Sequence, residues 1–133
     1  MVVILERRSR AYVLGRIRAG VLEAGLTDQL REAGVGERMD REGYIHNGFD
    51  VSFGGDRLRI DLAALTDGRS VMVYGQTEVT KDLYDARNAC GGTIVHDAED
   101  VALQGLDTDA PTVTWTKDGA TQQLACDFVA GCD

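Results

Sequence analysis

The apolar and polar positions of this chain change period several times, and each change marks an element. Val2 to Leu5 form an unbroken apolar run closed by Glu6, which predicts a short strand buried in the manner of a parallel sheet. From Val21, the residues Leu22, Leu26, Leu30 and Ala33 recur at helical spacing, and Gly34 stands where a glycine closes a helix. Phe49, Val51 and Phe53 alternate with polar neighbours, Gly54 and Gly55 make a turn, and Leu58, Ile60 and Leu62 alternate again, which predicts a hairpin. A short strand from Val71 to Tyr74 precedes Val79, Leu83, Ala86 and Cys90, spaced four, three and four apart, so a second helix is expected to stop at Gly91. Thr77 is a candidate N-cap for it. Val101 to Leu106, then Val113 and Trp115 between threonines, a Lys117-Asp118-Gly119 turn, and Leu124, Cys126 and Phe128 predict a meander. Its last strand is expected to run on through Val129-Ala130-Gly131. The fold class is therefore α/β with an attached antiparallel β-meander. A chain that opens directly on a strand and stops within another is expected to be an internal piece of a longer protein.

Composition narrows the partners. The chain has 133 residues, 44% of them hydrophobic, which suits one compact domain rather than a disordered tail. A net charge of -8 repels phosphate backbones and anionic lipid, so neither nucleic acid nor a membrane surface is expected as a partner. The charge is uneven. Arg7, Arg8, Arg10, Arg16 and Arg18 supply five of the 14 basic residues within the first 18 positions, against the single acid Glu6, and this favours a local anion site. No apolar run approaches the roughly 18 to 20 residues of a membrane span, and the opening run is too short for a signal sequence, so the cytoplasm is the expected location. Cys90, Cys126 and Cys132 are an odd set without metal-ligand spacing, which predicts reduced thiols and no metal site.

Three places could carry chemistry. A strand ending in an acid, here Leu5-Glu6, can present a carboxylate to ribose hydroxyls, although glutamates after strands are common on protein surfaces. Between Gly15 and Gly20 stand Arg16 and Arg18, in a loop expected to lead straight into a helix; guanidinium forks beside a positive helix end suit an anion or pyrophosphate. The same residues also fit a solvated loop. Gln76, between a strand and a helix, offers an amide that can both donate to and accept from a cofactor, or can serve as a cap. His46 and His96 stand singly and read as structural or exposed, Gly34-Val35-Gly36 as a turn, and Trp115 as a packing residue. No Ser/His/Asp, Cys/His or HExxH constellation is present, so no catalytic residue is assigned.

The segments Val3-Ile4-Leu5-Glu6-Arg7-Arg8, Tyr12-Val13-Leu14-Gly15-Arg16-Ile17-Arg18-Ala19-Gly20-Val21-Leu22-Glu23 and Val73-Tyr74-Gly75-Gln76-Thr77-Glu78-Val79-Thr80 resemble the flavin-dependent aromatic hydroxylases of the para-hydroxybenzoate hydroxylase type. The resemblance extends over essentially the whole chain, including Leu30 to Val35 and the closing Gly131-Cys132-Asp133. It implies that residues 1–133 form part of a Rossmann-like FAD-binding domain. It further implies that Glu6 holds the adenosine ribose, that Arg16, Ile17, Arg18, Ala19, Gly20 and Val21 form the loop around pyrophosphate and flavin, and that Gln76 and Asp133 are further FAD contacts. Arg7, Arg8 and Tyr12, with Arg16 and Arg18, match the surface that receives NADPH in that family, and the pair Arg8 and Tyr12 resembles its NADPH-preferring pattern.

The resemblance also defines what is missing. The GxGxxG phosphate loop that should precede Glu6, the later Gly-Asp flavin motif and the residues that hold a phenolic substrate are absent from the 133 residues. The implied activity, FAD-dependent and NAD(P)H-using hydroxylation of 4-hydroxybenzoate to 3,4-dihydroxybenzoate with molecular oxygen, therefore belongs to an intact, homodimeric enzyme, and the isolated piece is expected to be inactive. A related hydroxylase of another phenol and a non-catalytic truncated product are the alternatives.

Overall fold

A computed structural model describes residues 1–16 and 19–132. In chain order the elements are β1 (Val3–Glu6), α1 (Arg10–Gly15), β2 (Val21–Leu22), α2 (Ala24–Glu32), α3 (Glu37–Glu42), β3 (Tyr44–His46), β4 (Gly48–Phe53) and β5 (Asp56–Asp61). They continue with α4 (Leu62–Leu65), β6 (Val71–Val73), α5 (Gln76–Ala89), β7 (Thr93–His96), β8 (Glu99–Gln104), β9 (Thr112–Lys117) and β10 (Ala120–Ala125). The chain divides into two compact units, residues 1–13 with 92–133 and residues 14–91.

In the first unit β1 and β7 pair in parallel, Val3 opposite Thr93 through Glu6 opposite His96. The parallel strand expected from the opening apolar run is present, but within the described chain it is only half covered, Ile4 remaining exposed. The meander has the order β10-β9-β8, all antiparallel. Asp118 and Gly119 both take positive φ, 50° and 74°, as a two-residue turn between β9 and β10 requires. Val113 and Trp115 alternate inward from β9 and, with Ala98, form the core of this unit, flanked by Leu5, Val95, Leu124 and Cys126. The last strand does not run on: β10 ends at Ala125, and the next amide, Cys126 N–H, donates to Pro111 O at 3.0 Å.

The second unit is built on the sheet β2-β6-β3. Leu22, Leu30, Met39, Met72 and Tyr74 are its buried core, with Val35 and Val79 packed alongside. The expected first helix is present but starts later. Val21 and Leu22 pair with Val73 and Met72 as a strand, and α2 begins at Ala24 after an extended Glu23. Leu22 lies in phase with Leu26 and Leu30, yet its main chain pairs with β6, and tertiary pairing overrides the local period. Gly34, with φ of 74°, closes α2 as read. The hairpin is also as read, with Phe49 opposite Ile60, Val51 opposite Leu58, and Gly54 and Gly55 at φ of 60° and 92°; Leu62, however, opens α4 rather than ending β5. The second helix is α5, but its N-cap is Gly75, not Thr77.

Candidate functional site

In the second unit, Arg16, Ala19 and Gly20 lie against the turn that joins β6 to α5. The Tyr74 N–H donates to Gly20 O at 2.7 Å, the Gln76 N–H to Ala19 O at 3.3 Å, and the Thr77 hydroxyl to Arg16 O at 3.1 Å. Gly20 makes the close approach possible: a Cβ there would stand 3.0 Å from Gly75 Cα. Thr77 therefore ties down the loop instead of capping its own helix. The loop does not lead straight into a helix, as its sequence predicted; it feeds β2, and the helix whose N-terminal turn it meets is α5. Of the residues expected around a flavin, Arg16, Ala19, Gly20, Val21 and Gln76 are thus brought together at one end of this unit. Ile17, Arg18 and Asp133 lie outside the described residues.

The turn itself is held by a cluster that the sequence did not reveal. Arg38, from α3, donates through Nε to Asp82 Oδ1 at 2.7 Å and through Nη2 to Glu78 O at 3.2 Å, and pairs through Nη1 with Glu78 Oε2 at 2.6 Å. The Tyr74 hydroxyl donates to the other Asp82 oxygen at 2.7 Å, and the guanidinium lies 5.4 Å from the centre of the Tyr74 ring. Burial pushes the Tyr74 hydroxyl well above the ordinary tyrosine range, and its hydrogen bond to the Asp82 carboxylate pushes the same way. Burial works against the Arg38 charge, but the hydrogen bonds to Asp82 and Glu78 outweigh it and hold the guanidinium above its usual value. Glu78 and Asp82 are four apart on α5 and Tyr74 stands four before Glu78, ahead of the helix, but Arg38 is 44 positions from Asp82 and no local pattern connects them.

In the first unit, Glu6 ends β1 and its Oε1 accepts the Arg8 N–H at 2.7 Å. This fixes the carboxylate at the strand end. The Arg8 guanidinium lies 5.1 Å from the centre of the Tyr12 ring. Tyr12 is placed by α1, a helix the apolar pattern did not announce because it has barely one and a half turns; the Ser9 side chain caps it by accepting the Tyr12 N–H at 3.1 Å. The Arg8 carbonyl lies 3.2 Å from His96 Nδ1, so this histidine of β7 supports the segment after Glu6 and does not stand alone. Glu6, Arg8 and Tyr12 thus form one group, with Arg7 exposed beside them. Among the described residues no group of three or more His, Cys, Asp or Glu is placed to hold a metal ion, and no helix is long and apolar enough to cross a membrane.

The chain is 46% identical over 131 residues to the p-hydroxybenzoate hydroxylase of Acinetobacter baylyi, a match that takes in 98% of this chain and 32% of that protein. It thus spans about a third of the length of this relative. Among solved structures, the p-nitrophenol 4-monooxygenase of Pseudomonas putida superposes with a TM-score of 0.78 at 18% identity over 96% of this chain and 33% of its own. The anhydrotetracycline hydroxylase of Streptomyces rimosus gives 0.77 at 22% identity over 98% of this chain and 26% of its own. At such identities the likeness establishes the fold, an α/β arrangement shared with flavoprotein monooxygenases. A family profile described as an FAD binding domain matches residues 1–133, and the chain belongs to that FAD-binding domain family.

Proposed function

We propose that this chain is part of an FAD-dependent, NADPH-using aromatic monooxygenase that hydroxylates 4-hydroxybenzoate to 3,4-dihydroxybenzoate. The observation that carries the substrate is the 46% identity, over nearly the whole chain, to a protein of that activity. FAD, when bound, would supply the redox chemistry between a reduced nicotinamide and molecular oxygen.

The residues present fit an FAD. Glu6 offers a carboxylate at a strand end, already oriented by the Arg8 N–H, to the ribose hydroxyls. Arg16, Ala19 and Gly20 turn their carbonyls toward the β6–α5 turn, and the guanidinium of Arg16 is assigned to a pyrophosphate; Arg18 is assigned with it on its sequence match. Close contact of Gly20 with Gly75 lets that backbone approach without an intervening side chain, and Gln76 stands in the first turn of α5 beside it. Asp133 is assigned as a further contact on its sequence match.

For NADPH, the reading rests on Arg7, Arg8 and Tyr12, with Arg16 and Arg18. A guanidinium stacked on an aromatic ring is held in place yet keeps its N–H donors for a 2′-phosphate, which carries nearly two negative charges. The test is made on the full-length protein. NADPH oxidation should be stimulated by 4-hydroxybenzoate and matched by 3,4-dihydroxybenzoate formed; NADPH oxidation that ignores this phenol, or yields no catechol, overturns the substrate. kcat/KM should favour NADPH over NADH, and Arg8→Glu should lower that ratio about tenfold or more. A preference that survives the substitution removes Arg8 from the nucleotide site.

A further inference from the structure

The cluster Arg38, Glu78, Asp82 and Tyr74 has no part in the chemistry proposed above, yet it grips both sides of one turn. Tyr74 precedes the turn, Glu78 and Asp82 follow it, and Arg38 reaches across from α3 to the main chain of one and the carboxylate of the other. Between them, Gln76 and Thr77 donate to the carbonyls of Ala19 and Arg16, and Tyr74 donates to that of Gly20. Asp82 is the pivot: one oxygen takes the guanidinium, the other takes the tyrosine hydroxyl, each at 2.7 Å. Its side chain is 16% exposed and that of Arg38 is 25% exposed, so the pair is neither solvent-screened nor fully desolvated.

An ion pair so placed offsets much of its attraction with the cost of dehydrating two charges, and its contribution to overall stability is correspondingly modest. Its geometry is the more specific product. A planar guanidinium bound to a carboxylate and a carbonyl at once, with the second carboxylate oxygen fixed by a phenol, permits one relation of α3, β6 and the first turns of α5. We propose that Arg38 and Asp82 are positioning residues for the flavin loop, acting through Tyr74 and the β6–α5 turn on Arg16, Ala19 and Gly20. This rests on the reading that those residues hold FAD.

The experiment uses the full-length apoprotein, with FAD affinity measured by quenching of flavin fluorescence and local opening measured by amide hydrogen exchange. Asp82→Asn keeps the shape of the side chain and is expected to weaken FAD binding about tenfold, with faster exchange at the Tyr74 and Gln76 amides, the donors to Gly20 O and Ala19 O. Tyr74→Phe, which leaves the buried ring in place and removes only the hydroxyl, should weaken binding about threefold, and it serves if Asp82→Asn folds poorly. Thr77→Val cuts the loop from the turn directly. Combined with Asp82→Asn it should give less than the product of the two separate effects, because both act through one contact surface. Exchange that rises evenly through the protein, or effects that multiply independently, would reduce the cluster to ordinary structural support and overturn the proposal. If Thr77→Val and Gly20→Ala also leave FAD affinity unchanged, the loop's assignment to flavin fails; if they weaken it while Asp82→Asn and Tyr74→Phe do not, only the positioning role fails.

Discussion

Replacing Gly20 with alanine tests how the loop rests on the turn. The new methyl carbon would lie 3.0 Å from Gly75 Cα, 3.3 Å from Gly75 N and 3.3 Å from Tyr74 O. All three are main-chain atoms, so no side chain can swing aside, and ordinary carbon contacts of about 3.5 to 4.0 Å require the loop to back away by roughly half an ångström. That movement lengthens the 2.7 Å bond from Tyr74 N to Gly20 O toward the limit of a good hydrogen bond, and it breaks the bond from Gln76 N to Ala19 O, which is already 3.3 Å. Holding the loop in place against the overlap would cost about 1 to 3 kcal/mol, and letting it move loses about 0.5 to 1.5 kcal/mol for each hydrogen bond weakened. The cheaper route is taken, so a loss of about 1 to 2 kcal/mol is expected. In a full-length protein about three times this size, as the relative is, that is roughly 1 to 3 °C in melting temperature. If FAD requires the undisplaced loop, the same energy reappears on binding as a loss of about five- to thirtyfold in affinity. Gly15→Ala is the control, since no atom of the described residues comes within 4 Å of its Cβ. Calorimetric melting and FAD titration of the full-length apoprotein decide the matter. A Gly20→Ala variant indistinguishable from Gly15→Ala in both measurements would refute the close docking of loop on turn.

Two further outcomes concern stability. Asp40 takes a two-pronged hydrogen bond from Arg31, which joins α3 to α2 and holds the Asp40 carboxyl below the usual aspartate range. Stability from this source is present above the ordinary aspartate value and is lost as pH falls through the depressed one; with both side chains more than a third exposed, Asp40→Asn should cost less than about 1 kcal/mol in urea unfolding at neutral pH. The difference from wild type should vanish in strong acid, and a gap that widened on acidification would contradict the assignment. Trp115 is buried and its indole N–H has no hydrogen-bond partner among the described residues, so Trp115→Phe removes an unsatisfied donor along with some packing. It should cost about 1 to 2 kcal/mol against about 3 to 5 kcal/mol for Trp115→Ala, as followed by circular dichroism in denaturant; equal costs would mean the indole nitrogen is satisfied in solution.

Legibility in the sequence followed the range of the interaction responsible. The β4–β5 hairpin and α5 were readable because each is specified within a few residues, by alternation around Gly54-Gly55 and by the four-three-four spacing to Cys90. The short elements α1, α3 and α4 have six residues or fewer, too little for a period to emerge, although Ser9 and Asp61 each cap a helix and could have marked the first and last of them. Glu6 was legible as an acid closing a strand. Arg8 and Tyr12 are four apart, a helical spacing, but Arg8 stands ahead of α1 and its Ser9 cap, so no apolar period marked the pair.

The loop from Arg16 to Gly20 shows most clearly where sequence reasoning stops. The sequence predicted a helix end beside this loop, and Arg16, Ala19 and Gly20 do meet one, but the nearest helix in sequence was the wrong one. Thr77 is 61 positions from Arg16, and Gly20 meets Gly75 because β2 pairs with β6, a contact created by tertiary structure alone. Once that pairing forms, the N-terminal turn of a fourteen-residue helix, with no side-chain cap of its own, lies under the loop. The capping that Gly75 cannot supply comes in part from the loop carbonyl of Ala19. Loop and helix end therefore complete each other, and a change on either side, at Gly20 or at the Arg38 and Asp82 cluster, is transmitted to the same few backbone contacts.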